Sequence, residues 1–176
     1  MADTMAIDII AEEDLPEFSE LVRMYQRMVF SVAYHFLHER TIAEEVAQDV
    51  FMQLYRALPS IKSAAHVTAW LYKVTSHRCI DYSRRLRRNL PLDEIPEPAS
   101  EAAQGDPLLD RHLRRMIASL PPKARIVVIL RYQEDLEPED IARVLGWRLN
   151  TVKSQLHRSL QMLKRKLSGV FGDQES

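Results

Sequence analysis

Between Leu149 and Leu167 the apolar residues Leu149, Val152, Leu156, Leu160, Leu163 and Leu167 recur at steps of 3, 4, 4, 3 and 4. An α-helix, at 3.6 residues per turn, brings such positions onto one face; a strand does not. The same period governs much of the chain. Phe18, Leu21, Val22, Tyr25, Val29, Val32 and Phe36 form a stripe between Leu15 and Leu37, and Val46, Val50, Leu54 and Leu58 follow at four-residue steps. Val67, Trp70, Leu71 and Val74 mark another long helix, from about Ala65 to Arg88. No stretch alternates apolar and polar residues for long, and no Asn-Gly or Asp-Gly pair marks a hairpin. The spacing predicts an all-α fold.

Punctuation divides the helices. Thr41 followed by Glu44 has the pattern of a capping box, which starts the second helix, and Pro59 ends it. PSIKSAAH, from Pro59 to His66, reads as a loop. The segment from Asn89 to Pro107 holds four of the nine prolines and five acids without apolar periodicity, which reads as an extended linker. Beyond it, Leu108 to Leu120 makes one helix and Pro121-Pro122 opens another through Gln133. Pro138 suits the first turn of a short helix, and Gly146 its left-handed C-terminal position. The expected layout is an N-terminal extension (1–13), two small helical domains (14–88 and 108–168) joined by the linker (89–107), and a tail (169–176).

The formal charge of -1 hides strong segregation. Residues 1–60 carry a net -7, 61–90 a net +6, 91–110 six acids and no base, and 148–168 a net +6 with no acid. Two basic blocks without compensating acids suggest two contacts with a polyanion, rather than helix faces that merely solvate.

A short helix, a Gly turn and an amphipathic second helix with basic residues outward form a helix-turn-helix. The leucine side docks on its own domain, so the opposite face is free for a major groove about 12 Å wide. Acids there would repel phosphates. Residues near the N-terminus of such a helix reach base edges. Asn150, Thr151, Lys153, Ser154, His157 and Arg158 are therefore the candidate readers, and Lys164 to Lys166 candidate phosphate contacts. The bland alternative is an αα-hairpin with a solvated basic face.

LPPKARIVVILRYQEDLEPEDIARVLGWRLNTVKSQLHRSLQMLKRKL resembles domain 4 of sigma-70 family transcription initiation factors. EEVAQDVFMQLYRAL with HVTAWLYKVTSHRCIDYSRRLRR resembles their domain 2. The order and the short linker are similar to the extracytoplasmic-function group, which keeps only these two domains, and the likeness spans residues 18 to 168. It implies a subunit that binds core RNA polymerase through the β′ clamp and β flap, and recognises promoter DNA. By this resemblance Gln48, Asp49 and Gln53 grip the clamp. Lys62, Ser63 and His66 surround a flipped base of the −10 element, Trp70 packs in the core, and Lys73, His77, Arg78, Arg84, Arg85, Arg87 and Arg88 line DNA. Domain 4 reads the −35 element, the acidic linker enters the polymerase's RNA channel, and an anti-sigma partner is implied. The chain departs from the family pattern at His77, at Asn150 and in the loop before His66, which lacks the usual aromatic and Gly.

Other classes fit less of the chain. A di-iron bundle needs Glu-x-x-His pairs, and no His has a Glu three residues before it. With no Gly-rich phosphate loop or H-E-x-x-H, neither an enzyme nor a cofactor is expected. A stand-alone helix-turn-helix regulator accounts for 108–168 alone, and a protein-only adaptor leaves both basic blocks idle. No apolar run reaches the roughly 20 residues of a membrane span. The first residues lack a signal-peptide pattern, and the single Cys79 excludes an internal disulfide, all consistent with the cytoplasm.

Overall fold

A computed structural model describes residues 15–89 and 107–172. The expected N-terminal extension, the linker between these segments and the last four residues lie outside the described residues. Among the described residues every regular element is helical: α1 (Phe18–Leu37), α2 (Arg40–Ala57), a 3-10 turn (Leu58–Ser60), α3 (Ala64–Asn89), α4 (Pro107–Ala118), α5 (Pro122–Tyr132), α6 (Pro138–Leu145) and α7 (Leu149–Gly172). The all-α expectation is met. Helix α7 runs through Gly169 to Gly172, past the boundary at 168 expected from sequence.

The start of α2 differs from the expected capping box. Helix α1 closes on His38 in the left-handed region (φ 56, ψ 21), whose N–H bonds to the Tyr34 carbonyl at 2.8 Å. A single extended residue, Glu39, then separates the two helices. The cap falls on it, and its carboxylate accepts from the N–H groups of Ile42 (2.8 Å) and Thr41 (2.9 Å). These bonds, that from Ile42 foremost, hold the Glu39 carboxyl below its ordinary pKa. Glu44, the expected partner of Thr41, instead pairs with Arg40 at 2.9 Å. At the other end of the bundle, Ser63 caps α3 by accepting from the His66 N–H at 3.2 Å.

Helices α1, α2 and α3 pack around Leu21, Val29, Val32, Phe36, Val50, Leu54, Val67 and Leu71, all fully buried. Each such side chain stabilises the fold by ~1.5–3 kcal/mol. Helices α4 to α7 make the second group, and α5, with α6 against α3, joins it to the first. Its run Ile126, Val127, Val128, Ile129 and Leu130 is buried without interruption, whereas an amphipathic helix would show a wet face. It has none because α6 and α7 cover one side and α1 and α3 the other. One core cluster consequently runs from Leu21 through Ile80 to Val152.

Two charged residues sit in this junction. The Glu134 carboxylate accepts from Ser31 Oγ (2.8 Å) and from the Tyr72 hydroxyl (3.2 Å), both in the first group, and burial pushes its pKa up. Arg125 is 8% exposed; its guanidinium donates to the carbonyls of Phe36 (3.1 Å), Leu120 (3.3 Å) and Ala118, and lies 4.8 Å over the Phe36 ring. Phe36 and Ala118 lie at the C-terminal ends of α1 and α4, where unpaired carbonyls and the helix dipole favour a cation.

The leucine stripe of α7 docks only in part. Val152 is fully buried, but Leu160 is 45% exposed, while Ser159 is buried and donates to the Gln155 carbonyl at 2.6 Å. Met162 and Leu163 complete the contact by packing on Leu120, Ala124 and Val128. At about 100° per residue Ser159 lies roughly 20° round the helix from Val152 and Leu160 roughly 80°, so Leu160 sits at the wet edge of the stripe.

Candidate nucleic-acid interface

The turn between α6 and α7 has the expected construction. Pro138 opens α6, and Gly146 ends it at φ 68, ψ 31, with the Trp147 N–H reaching back to the Ala142 carbonyl at 2.9 Å. A Cβ added at Gly146 would meet nothing within 4 Å, so only the left-handed backbone asks for glycine there. Ile141, Leu145 and Val152 are buried behind the turn and fix the angle between the helices. Asn150, Thr151, Lys153, Ser154, His157 and Arg158 all face solvent, on one side of α7.

One acid intrudes on this face from outside the helix. Glu139, in the first turn of α6, lies 3.4 Å from the Lys153 ammonium. A hydrogen bond from its own backbone N–H, more than the pairing with Lys153, holds the Glu139 carboxyl below its usual pKa. The pair is half-exposed on both sides, so it adds little to stability and opens readily for another anion.

On α3 and the loop before it, Lys62, Ser63, His66, Lys73, His77, Arg84 and Arg85 are exposed. They lie opposite Val67, Leu71, Cys79 and Ile80, which face the core. Burial, reinforced by Lys73, lowers the pKa of His77 below its ordinary value near 6.5. This favours the neutral ring, which can donate or accept a hydrogen bond. Trp70 is half-buried against the core, as a packing residue should be.

Arg78 does not stand free with the others. Its guanidinium lies 3.0 Å from the Asp49 carboxylate, which also accepts from the Gln53 amide at 2.9 Å. The structure thus links a residue expected on DNA to two expected on the polymerase. Gln48 remains exposed. Beside it opens a groove of about 740 Å³ between α1 and α2, lined by Phe18, Val22, Phe30, Phe51 and Met52. The apolar spacing did not point to this groove. The available signal was a surplus of apolar residues: Met52, 57% exposed, stands off the buried stripe of α2.

The two basic regions also meet. Arg84 of α3 and Arg158 of α7 line one cleft between the helical groups. No described helix is long and apolar enough to cross a membrane. No group of three metal-ligating side chains occurs among the described residues.

Comparison with known proteins bears on both halves. The family described as Sigma-70 region 2 matches residues 21–89, and that described as Sigma-70, region 4 matches residues 110–163. The ECF RNA polymerase sigma factor SigE of Mycolicibacterium smegmatis is 30% identical over 163 residues, covering 88% of this chain and 63% of the relative. RNA polymerase sigma factor YlaC of Bacillus subtilis is 27% identical over 157 residues, 85% of this chain and 91% of its own. Among solved structures, the sigma factor RpoE in complex with the anti-sigma factor NepR, from Bartonella quintana, superposes with a TM-score of 0.72 at 19% identity. It covers 88% of this chain and 98% of that one. CnrH, in complex with the cytosolic domain of CnrY, gives a TM-score of 0.62 at 20% identity over 90% and 89% of the two chains. These two likenesses show a shared fold.

Proposed function

The chain belongs to the sigma-70 family, as an RNA polymerase sigma factor of the extracytoplasmic-function type, and from that premise we propose which surfaces carry its work. Helices α1 to α3 hold core polymerase and the −10 element; α6 and α7 read the −35 element. The observation that carries this reading is the pair of exposed cationic faces, on α3 and α7, each on a helix whose other side is locked in the core. Base readout needs both a rigid backbone and an unobstructed face.

Asn150, Thr151, Lys153, Ser154, His157 and Arg158 enter the major groove, and Glu139 surrenders Lys153 to the DNA. Lys62, Ser63 and His66 flank an extruded base at the start of α3, while Lys73, Arg84 and Arg85 track phosphates. Gln48, with the apolar groove between α1 and α2, meets the polymerase clamp, and Asp49 and Gln53 orient Arg78 beside it. The protein acts as a non-catalytic, cytoplasmic subunit of polymerase, under control of an anti-sigma partner. A structural neighbour solved with an anti-sigma factor supports that last point.

Arg84 and Arg158 line one cleft, so contact with two separate promoter elements asks the two helical groups to part. The α5 junction therefore opens when polymerase binds, exchanging the Ser31–Glu134–Tyr72 and Arg125–Phe36 bonds for contacts with the enzyme. A stand-alone regulator would leave the groove beside Gln48 without a role.

Co-purification with core polymerase, followed by promoter binding and transcription, tests the assignment. The wild-type chain should bind promoter DNA chiefly in company with polymerase. Asp49→Arg and Gln48→Arg should each abolish co-purification while leaving the far-ultraviolet circular dichroism intact, since the Asp49–Arg78 pair is half-exposed and contributes about 1 kcal/mol or less. Undiminished co-purification of both variants would remove the clamp assignment.

A further inference from the structure

The cleft between the two helical groups gathers cations from three helices into one space. Its volume is about 460 Å³, within the range of small-ligand sites, roughly 300–1,000 Å³. Four cations line it: Arg84 and Arg87 from α3, Lys123 from the first turn of α5, and Arg158 from α7. No acidic residue lines it among the described residues, and none of the three arginines forms an ion pair there. Lys123 is occupied only by a cation–π contact, 5.6 Å from the Trp147 ring. Gln155 and Ser159 add polar groups to the wall, and Pro121 and Pro122 place the N-terminal end of α5 at its floor.

Such an arrangement is electrostatically unfavourable when empty. Like charges brought together from three helices repel, and the N-terminal end of α5 adds positive potential. The field reaches inward, because Arg87 helps to depress the pKa of the buried Arg125. A multivalent anion reverses every one of these terms. A duplex is too wide to enter a cleft of this volume, whereas a run of two or three linked phosphates fits and presents several oxygens to the arginine forks.

We propose that this cleft is a binding site for a small polyphosphate anion, such as pyrophosphate, triphosphate or the phosphate chain of a nucleotide. The anion bridges the two helical groups, Arg84 and Arg87 on one side and Lys123 and Arg158 on the other. Resting on the functional reading above, occupancy also withholds Arg84 and Arg158 from promoter DNA and holds the junction closed.

Isothermal calorimetry of the full chain with sodium tripolyphosphate, in about 0.15 M salt to screen loose surface attraction, tests the site directly. One anion per chain should bind, at least tenfold more tightly than inorganic phosphate, and should raise the thermal midpoint. Arg87→Ala and Lys123→Ala, one from each group, should each weaken binding about tenfold, the scale of one charge-assisted contact. Thermal unfolding of the unliganded variants shows whether they fold. Lys164→Ala, on the outer part of α7, should bind as the wild type does. Binding no tighter than inorganic phosphate, or equal loss in the Lys164 variant, would overturn the site. Loss confined to the variant of one group would overturn the bridge. These readouts need neither polymerase nor DNA, so the site stands or falls apart from the sigma-factor reading.

Discussion

Arg125 offers the sharpest test of what holds the two halves together. It carries a charge 8% exposed to solvent and donates to three backbone carbonyls, those of Phe36 and Ala118 at the ends of α1 and α4 and that of Leu120 just beyond α4. Burial, with Arg87 adding to it, lowers its pKa from the ordinary guanidinium range to about 10, so it stays protonated at neutral pH. At 1.36 kcal/mol per unit that shift is a penalty of about 3 kcal/mol on the charged form. Three hydrogen bonds from a charged donor contribute ~1.5–3 kcal/mol each, or roughly 5–9 kcal/mol together, against it. The buried Nε–H has no partner and takes back about 1–3 kcal/mol, so the balance favours the guanidinium only modestly. Arg125→Met keeps an apolar stem of similar reach but leaves the carbonyls of Phe36, Ala118 and Leu120 without this donor. The expected loss is about 2–4 kcal/mol, and with a urea slope of ~1–3 kcal/mol per molar the unfolding midpoint should fall by about 1–2 M. Urea titration at pH 7, followed by circular dichroism at 222 nm, measures it. Arg125→Lys, which keeps the charge but not the fork, should lie between. A midpoint for Arg125→Met equal to or above the wild type would refute the reasoning, and would place Arg125 with buried ions that a well-packed apolar residue replaces without loss.

Glu134 should make the junction pH-dependent. Its pKa is raised in the folded protein, so its contribution to stability is fully present below the unfolded carboxyl value near 4.3 and is lost as pH rises through the folded value. Glu134→Gln, which keeps one acceptor, should flatten that part of the stability profile; an unchanged profile would mean that another group titrates. Gly146→Ala should cost about 1–2 kcal/mol through the left-handed backbone alone, readable as a lower thermal midpoint with unaltered helix content. Lys153→Ala should weaken discrimination at one −35 position by ~1–3 kcal/mol, measured by competition binding of holoenzyme to single-base promoter variants. It should also weaken binding to every sequence slightly, because Glu139 is then left facing the phosphates. Uniform loss without any change in discrimination would reassign Lys153 to the backbone.

The helices, the Gly146 turn and the outward set on α7 were legible because each depends on residues within one or two turns of one another. A step of three or four residues reports which side of a helix is dry, and the opposite side follows. The same short range explains what was misread. Thr41 and Glu44 had a capping pattern, but the left-handed His38 moved the cap to Glu39. Leu160 kept the apolar spacing, yet it lies at the edge of the stripe, and Ser159 is buried in its place. Only the tertiary structure decided that α5 is dry all round, that Glu134 meets Ser31 across 103 residues, and that Glu139 faces Lys153. It alone placed Arg78 on Asp49 and gathered Arg84, Arg87, Lys123 and Arg158 into one cleft. Periodicity records the side a residue turns to its neighbours along the chain; which distant helix arrives on that side is set by how the chain doubles back and by the apolar area buried when it does.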